Sequence, residues 1–134
     1  MKPVLVDSNV LLDVATGDPV WSSWSGQALA REAERSRLVI NPLIFAEVSI
    51  GFQRIEELEN ALPSEFFERE ALPWEAAFLA GKCFLAYRRR GGTKTAPLPD
   101  FYIGAHAAVA GHRLLTRDPS VYRTYFKSLE LICP

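Results

Sequence analysis

The sequence predicts an α/β fold of three layers, α/β/α, with a central parallel sheet of four or five strands. Short apolar runs that fit buried strands alternate along the chain with longer segments in which apolar residues recur at helical spacing. Strands and helices in alternation form a parallel sheet that helices cover on both faces. The chain has 134 residues and no repeat, linker or low-complexity tract, so a single domain over residues 1–134 is expected.

In the first half of the chain, capping residues mark the element boundaries. The expected elements are strand 4–6, helix 9–14, helix 20–35, strand 38–40 and a helix from residue 42. Gly17 ends the first of these helices. Asp18–Pro19 and Asn41–Pro42 each place a capping side chain before a proline, which predicts the start of the second and third helices. Glu47 then lies within the third helix among apolar neighbours.

In the second half of the chain, glycines and prolines mark the boundaries. The expected elements are strand 71–72, helix 73–90, loop 93–98, helix 99–110, strand 114–116, helix 121–126 and strand 129–132. Gly91–Gly92 ends the first of these helices and Gly111 ends the second. The Glu-rich segment over residues 56–68 is interpreted as a solvated face.

Acidic residues stand at or near the boundaries of these elements, far apart in sequence. Asp7 and Asp118 follow two apolar runs that fit strands, and Asp100 lies in the first turn of a helix. Functional groups in a parallel α/β sheet gather beyond the carboxyl ends of the strands, so Asp7 and Asp118 are expected at the same edge. Glu47 is the most discriminating of these acids, because a half-buried glutamate without a partner is costly and its position offers no capping role.

A cluster of these carboxylates predicts a bound cation. Two carboxylates about 4 Å apart repel by about 4 kcal/mol at an effective dielectric constant of about 20. Carboxylate oxygens without Cys or His favour hard ions such as Mg²⁺ or Mn²⁺, which usually serve phosphoryl transfer or phosphodiester hydrolysis. Thr116 and Asn9, next to the expected strand ends, are predicted to hydrogen-bond the ligating carboxylates.

The acidic residues occur within four segments: Val4–Asn9, Asn41–Glu47, Leu98–Ala107 and Leu114–Asp118. Each segment is short, but their order and intervals over nearly the whole chain resemble the PIN-domain nucleases. The resemblance is to the VapC-type toxins of bacterial and archaeal toxin–antitoxin pairs in particular. It implies a PIN-like fold.

The resemblance implies a metal-dependent endoribonuclease that cleaves RNA phosphodiester bonds with the help of Mg²⁺ or Mn²⁺. The implied acidic quartet is Asp7, Glu47, Asp100 and Asp118. The resemblance also implies that Ser8 or Asn9, and Thr116, orient the carboxylates and the attacking water. Further acidic residues near the fourth position vary in the family, and this chain has Pro119 and Ser120 there, so the number of ions stays open. A homodimer and a small cognate antitoxin that blocks the acidic cleft are implied as well.

A nuclease must hold a polyanion, yet the formal net charge of this chain is −1. A local basic patch is therefore needed to bind RNA. The candidate phosphate-binding residues are Arg88, Arg89, Arg90, Lys94 and Arg117. For the three arginines that end a helix, attraction to the helix dipole alone is an equal explanation.

The composition also bears on location. Two cysteines do not form a disulfide framework and fit a reduced, cytoplasmic setting. Asp7 interrupts the N-terminal apolar run too early for a signal peptide. No apolar stretch approaches the roughly 20 residues of a membrane span, so no membrane partner is expected.

Two other functions fit parts of this pattern. A catalytically silent PIN-like module that binds RNA or a protein partner would keep both the fold and the metal. A phosphatase with an aspartyl nucleophile would need a second acid two residues after the first, and Asn9 stands there, which argues against it. Taken singly, Asp7 and Asp118 fit a helix cap and a turn, and only their grouping favours chemistry.

The remaining notable side chains are given structural roles. Asp13 is assigned to a helix surface. His106 and His112, six residues apart, are expected on different faces of one helix and not in a metal site. Trp21, Trp24 and Trp74 are interpreted as core or interface anchors. Trp21 and Trp24 share a helical face, with enough apolar area for a homodimer or antitoxin contact.

Overall fold

A computed structural model describes residues 1–134. Its strands are β1 (Val4–Val6), β2 (Leu38–Ile40), β3 (Phe67–Arg69), β4 (Arg113–Leu115) and β5 (Leu131–Ile132). Its helices are α1 (Ser8–Thr16), α2 (Ser22–Arg35), α3 (Pro42–Ser49), α4 (Ile55–Ala61), α5 (Trp74–Arg89), α6 (Pro99–Ala110) and α7 (Ser120–Tyr125). The strands form one five-stranded sheet in the order β3-β2-β1-β4-β5, and all neighbours are parallel. The predicted α/β/α fold with a parallel sheet is confirmed. None of the helices is long and apolar enough to cross a membrane.

The central strands β1, β2 and β4 are buried along their whole length. Parallel strands that are covered on both faces are continuous apolar runs, which is why the sequence predicts these three correctly. β1 pairs with β2 on one side and β4 on the other, so Asp7, directly after β1, lies at the middle of the carboxyl edge. Asn41 follows β2 and Thr116 follows β4, so these residues flank Asp7.

The third strand was predicted at residues 71–72, and that prediction is wrong. β3 covers Phe67–Arg69 and pairs with β2 at the edge of the sheet. Only Phe67 of this strand is buried, while Glu68 and Arg69 are half-buried or exposed. Charged side chains are common on edge strands, where one side of the strand faces solvent. A search for apolar runs therefore favours the neighbouring Ala71–Leu72 instead.

The structure also contains one helix that the sequence does not predict, and another helix starts later than expected. Helix α4 lies within the Glu-rich segment that was assigned to a solvated face, and Leu58 is its only buried residue. Its start is held by the Glu57 carboxylate, which accepts from the Arg54 amide at 3.1 Å. Helix α2 begins at Ser22 rather than residue 20, because the Asp18 carboxylate caps a turn before it. A single buried residue is too weak a pattern for spacing to predict α4.

A glycine sets the approach of α7 to α6. A Cβ at Gly104 would lie 2.4 Å from Cε2 of Phe126, so only glycine lets this ring pack against α6. Phe126 directly follows α7 as its C-cap. Its docking places α7 beside α6 and carries Tyr122 into the interior, where it is 1% exposed.

Candidate active site at the carboxyl edge of the sheet

Asp7 lies at the centre of the candidate site. As the N-cap of α1 it accepts a hydrogen bond on Oδ1 from the Ser8 amide at 2.8 Å. Its Oδ2 accepts from Thr116 Oγ1 and from the Tyr122 hydroxyl, each at 2.9 Å. Burial raises the pKa of Asp7, although these hydrogen bonds oppose the rise. Asp7 is thus both a cap and a candidate ligand, and Oδ1 keeps the spare acceptor capacity.

Thr116 joins the ends of β1 and β4. Its hydroxyl accepts from Asn9 Nδ2 at 3.2 Å and from the Asp118 amide at 3.1 Å. Because both lone pairs are used, its proton is directed at Asp7 Oδ2. Asn9 is itself held by the Arg117 amide, which donates to Asn9 Oδ1 at 3.3 Å. The two residues predicted to position the carboxylates therefore lie where they can do so.

Glu47 reaches the same edge from α3. Asn41 caps this helix, since its Oδ1 accepts from the Ile44 amide at 2.9 Å. Glu47 Oε1 accepts from Ser8 Oγ at 2.8 Å, which links α3 to the start of α1. Burial raises the pKa of Glu47, the Ser8 hydrogen bond lowers it, and the charge of Asp7 raises it further. The half-buried glutamate thus has a neutral partner and a charged neighbour.

Asp100 lies in the first turn of α6. Burial raises the pKa of Asp100 to about 6, and the charges of Asp7 and Glu47 add to the rise. The Tyr122 hydroxyl lies 3.3 Å from Asp100 Oδ1 and opposes it. Asp118 is exposed and has the smallest effect of the three charges on Asp100. The site therefore has three close carboxylates, with Asp118 at its outer margin.

The donor set fits a hard divalent cation. The pKa values of Asp7, Glu47 and Asp100 are all raised, so the protein alone does not supply enough positive charge to stabilise them in the ionised form. Hydroxyl and amide groups, all neutral, make the hydrogen bonds that reach Asp7. Carboxylate oxygens are the ligands that Mg²⁺ and Mn²⁺ prefer.

Tyr122 is a site residue that the sequence patterns do not predict. Its hydroxyl contacts both Asp7 and Asp100, and burial together with these two charges raises the hydroxyl pKa, so it stays a neutral donor. Tyr125 lies in the same short helix and makes no such contact. The one local signal is that Tyr122 follows Asp118 by four residues, about one helical turn.

Arg90 is the candidate phosphate-binding residue with a structural link to the acidic site. Its guanidinium carbon lies 5.6 Å from the centroid of the Tyr125 ring. Both residues line a cavity of about 300 Å³ that also includes Ser120. The Ser120 hydroxyl donates to Asp118 Oδ1 at 3.1 Å. The cavity therefore connects Arg90 with the outer margin of the carboxylate cluster.

The other candidates of the basic patch have separate surroundings. Arg88 donates to the Lys94 carbonyl at 2.9 Å, which ties the end of α5 to the loop before Asp100. The side chains of Arg88, Arg89 and Lys94 are exposed. Arg117 Nε instead pairs with Asp13 Oδ2 at 2.8 Å, so its charge is largely committed within the protein.

The assignment of Asp13 to a helix surface is wrong. Asp13 is 2% exposed, and Ser25 Oγ donates to it at 2.8 Å in addition to Arg117. The guanidinium of Arg117 also stacks over the Trp21 ring, which lies just before α2, while Trp24 packs against the core. The cation that makes burial of Asp13 favourable comes from the far end of the chain, so local spacing does not show it.

The orientation predicted for the two histidines is also wrong. α6 ends at Gly111, whose φ is 74°, and the turn brings the His112 ring beside that of His106. The ring centroids are 5.9 Å apart, and both Nε2 atoms contact Glu70 Oε1, at 3.1 Å for His106 and 2.8 Å for His112. Helical spacing does not apply to a residue beyond the helix end.

Comparison with solved structures shows what this fold is similar to. VapBC2 from Rickettsia felis, bound to a DNA fragment from its promoter, superposes with a TM-score of 0.74 at 16% identity, covering 98% of each chain. VapBC-1 from nontypeable Haemophilus influenzae gives a TM-score of 0.72 at 17% identity, covering 97% of this chain and 96% of that one. DNA-bound VapBC from Salmonella typhimurium gives 0.70 at 17% identity, covering 99% and 98%. At these identities the similarity concerns the fold.

The comparison of sequences adds the family. No curated protein matches the chain in sequence. The family model described as the PIN domain matches residues 4–127, which include every member of the acidic quartet. The chain therefore belongs to the PIN domain family.

Proposed function

We propose that this chain is a metal-dependent endoribonuclease and the toxin of a toxin–antitoxin pair. The observation that carries the proposal is the cluster of Asp7, Glu47 and Asp100 at the carboxyl edge, where raised pKa values indicate that the ionised carboxylates lack a counter-charge within the protein. Membership of the PIN family and the fold similarity to VapBC complexes support the biological role.

The quartet Asp7, Glu47, Asp100 and Asp118 would hold Mg²⁺ or Mn²⁺. When bound, such an ion supplies counter-charge and Lewis acidity for phosphodiester hydrolysis. The residues around it keep the ligands in place. Thr116 and Tyr122 occupy Oδ2 of Asp7, and Ser8 holds Glu47. The protein alone makes these contacts, which would hold the ligands in place with little reorganisation.

RNA would lie between this cluster and the basic residues near the end of α5. The carboxylates repel a phosphate backbone, and the net charge of −1 gives no general attraction. Arg90, beside the cavity that reaches Ser120, is the best placed cation to offset the repulsion. A cytoplasmic location agrees with Cys83 and Cys133, both of which are free thiols.

The proposed partner is a small antitoxin, with the toxin itself a homodimer. A basic segment of the antitoxin would be attracted to the carboxylates and would place Arg or Lys where the metal and substrate phosphate bind. A short open reading frame next to this gene that encodes a DNA-binding protein would support the pairing. Its absence would count against it.

The test of the enzymatic proposal is single-turnover cleavage of structured RNA. Wild type should cleave with Mg²⁺ or Mn²⁺, lose cleavage in excess chelator and regain it when the ion returns. Asp100→Asn should abolish cleavage and raise the thermal midpoint in metal-free buffer, because a repulsive cluster loses one charge. Asp7→Asn should also abolish cleavage but lower the midpoint, since donors face both Asp7 oxygens and the new amide NH₂ would oppose one of them.

Glu65→Gln removes an exposed acidic charge elsewhere and is the matched control. Activity in both aspartate variants, or full activity in chelator, would contradict the assignment of the quartet. RNA binding without any cleavage by wild type would instead favour the catalytically silent binding module.

A further inference from the structure

We propose that Glu70, His106 and His112 form a second cation site, which takes Zn²⁺ or a similar borderline ion and is separate from the carboxylate cluster. The ligand atoms of these three residues all lie within 4.8 Å of one another. Two imidazoles and one carboxylate are a donor set of the kind that zinc takes with three protein ligands and one water. The proposal goes beyond the nuclease activity and does not depend on it.

Two of the three ligand separations require only small shifts, and the third, between the ligand nitrogens of the two histidines, is no more than 4.8 Å. Ligands at zinc distances in a tetrahedron lie about 3.3 Å apart. The Nε2 atoms of His106 and His112 lie 3.1 Å and 2.8 Å from Glu70 Oε1, so they would separate by a few tenths of an ångström. Glu70 directly follows β3, His106 lies in α6 and His112 directly precedes β4. Three elements of the fold therefore position the three ligands.

The polar contacts of the two rings also bear on metal binding. The Nδ1 atom of His112 is buried without a hydrogen-bond partner. Glu70 is therefore the only polar contact of that ring. The ring has one unpaired nitrogen with or without a metal on Nε2, so metal binding would exchange a single hydrogen bond and break no larger network.

Solvent can reach the cluster. A cavity of about 350 Å³ lies beside it, lined by Asn41 and Glu70 together with Ile40, Phe45 and Arg69. The Glu70 side chain is 29% exposed. The cation of this cavity, Arg69, pairs with Glu59 at 2.6 Å, which offsets its repulsion of a metal ion. An ion and the water that completes its coordination can thus enter from this side.

Asn41 sets the affinity of the site. Its Nδ2 lies 2.9 Å from His106 Nδ1, while its Oδ1 caps α3 through the Ile44 amide. Without a metal the two contacts of the His106 ring are compatible, because His106 donates from Nε2 to Glu70 and accepts at Nδ1 from Asn41. A metal on Nε2 moves the ring proton to Nδ1, where it faces the NH₂ group of Asn41. The amide must then rotate and release the cap, which weakens binding by roughly five- to tenfold.

This conflict yields a variant that should bind more tightly than wild type. Asn41→Asp offers acceptors on both branches, so one oxygen caps α3 and the other accepts from His106 Nδ1–H. Asp and Asn cap helices equally well. A carboxylate that accepts from the second nitrogen of a ligating histidine changes metal affinity by about 10- to 100-fold. We expect Asn41→Asp to bind Zn²⁺ at least tenfold more tightly than wild type.

The experiment measures Zn²⁺ binding by calorimetry and Co²⁺ binding by visible absorption, in excess Mg²⁺ to occupy the carboxylate cluster. Wild type should bind one Zn²⁺ per chain, and Co²⁺ should give the strong absorption of tetrahedral coordination. His112→Gln, at a position outside α6, should weaken binding at least tenfold. Asp100→Asn is the control and should leave Zn²⁺ affinity unchanged.

Absence of Zn²⁺ binding by wild type, or equal affinity in His112→Gln, would overturn the proposal. An Asn41→Asp variant no tighter than wild type would also overturn it, and a gain in affinity cannot come from a misfolded protein. Because binding is the readout, loss or absence of RNA cleavage does not affect the result.

Discussion

At the scale of single residues, Tyr122 shows how a neutral group holds two acids in place. Its hydroxyl lies within hydrogen-bond distance of Asp7 and Asp100, and its ring is buried in the protein interior. A cationic side chain in that place would stabilise the carboxylates but would also compete with a metal ion. A phenol orients them and leaves the negative charge for the ion.

Replacement of Tyr122 by Phe should lower the free energy of unfolding by about 1–3 kcal/mol, because the protein loses a buried hydrogen bond to a charged group. Cleavage should fall without being abolished, since the carboxylates remain. Chemical denaturation and single-turnover kinetics measure the two effects. Tyr125→Phe, in the same helix, is the matched control and should match wild type in both. A Tyr122→Phe protein as stable and active as wild type would show that the hydroxyl has no positioning role.

The raised pKa of Asp100 predicts how stability depends on pH without metal. Its pKa is about 6 in the folded chain and about 4 in the unfolded one, so the folded state binds more protons between these values. Stability therefore falls as pH rises through this window, by on the order of 2 kcal/mol after allowance for partial exposure. His106, with a lowered pKa, has the opposite trend below its unfolded value.

The comparison with Asp100→Asn isolates the part of this trend that comes from Asp100 and its repulsion of Asp7 and Glu47, because His106 contributes equally to both proteins. Thermal midpoints are measured in chelator from about pH 4 to about pH 7. This range spans the pKa of Asp100 in both the unfolded and the folded chain. The thermal midpoint of the variant should rise relative to that of wild type as pH rises toward 7, and this difference should disappear near pH 4. A constant difference across the range would mean that Asp100 does not titrate in this window.

At the scale of elements, the end of α5 and the loop after it form the basic side of the site. Arg88 holds the Lys94 carbonyl and Arg90 lies over Tyr125 beside the cavity that reaches Ser120. Favourable interaction with the helix dipole explains arginines at this position but not their approach to the acidic edge. RNA binding provides a reason for both.

Replacement of both Arg88 and Arg90 by Ala should weaken RNA binding, while cleavage at saturating RNA changes much less, because the quartet is untouched. The slope of log affinity against log salt should decrease in magnitude by about 0.7 for each phosphate that the variant no longer binds. Stopped-flow binding over a salt series measures it. Arg31→Ala with Arg54→Ala removes the same charge from exposed positions elsewhere and is the control. Equal slopes in the two double variants would return Arg88 and Arg90 to a helix-end role.

At the scale of the whole molecule, two large exposed apolar side chains lie on α5, and one of them is Trp74, whereas the tryptophan pair predicted to supply an interface is Trp21 and Trp24. Trp74 is 88% exposed and Phe78 is 68% exposed, and they lie one turn apart on α5 with Leu85 two turns further. Trp24 packs against the core instead. The proposed homodimer should bury the stripe of Trp74, Phe78 and Leu85.

The chain alone should therefore sediment as a dimer at a concentration of roughly tens of micromolar, where a stable interface keeps two subunits together. Trp74→Ser with Phe78→Ser should give a monomer with an unchanged thermal midpoint for the fold, because neither side chain is buried. A monomeric wild type would contradict the homodimer. A dimeric double variant would place the interface on another surface.

The sequence by itself determined the elements and residues that depend on local signals. The strands β1 and β2 are continuous apolar runs, β4 is apolar after Arg113, and Asn41–Pro42 caps α3 as its residue types require. Chain order alone then places Asp7 at the carboxyl end of a strand, because parallel strands end at one edge.

Only the tertiary structure decided which distant side chains meet. Tyr122 reaches Asp7 across 115 residues, and Arg117 reaches Asp13 across 104. Glu70 meets His106 and His112 from 36 and 42 residues away. Such pairs depend on the order of strands in the sheet and on the packing of helices over it. The spacing of residues along the chain does not predict that order. Considered locally, each partner fits an ordinary surface, cap or helix position.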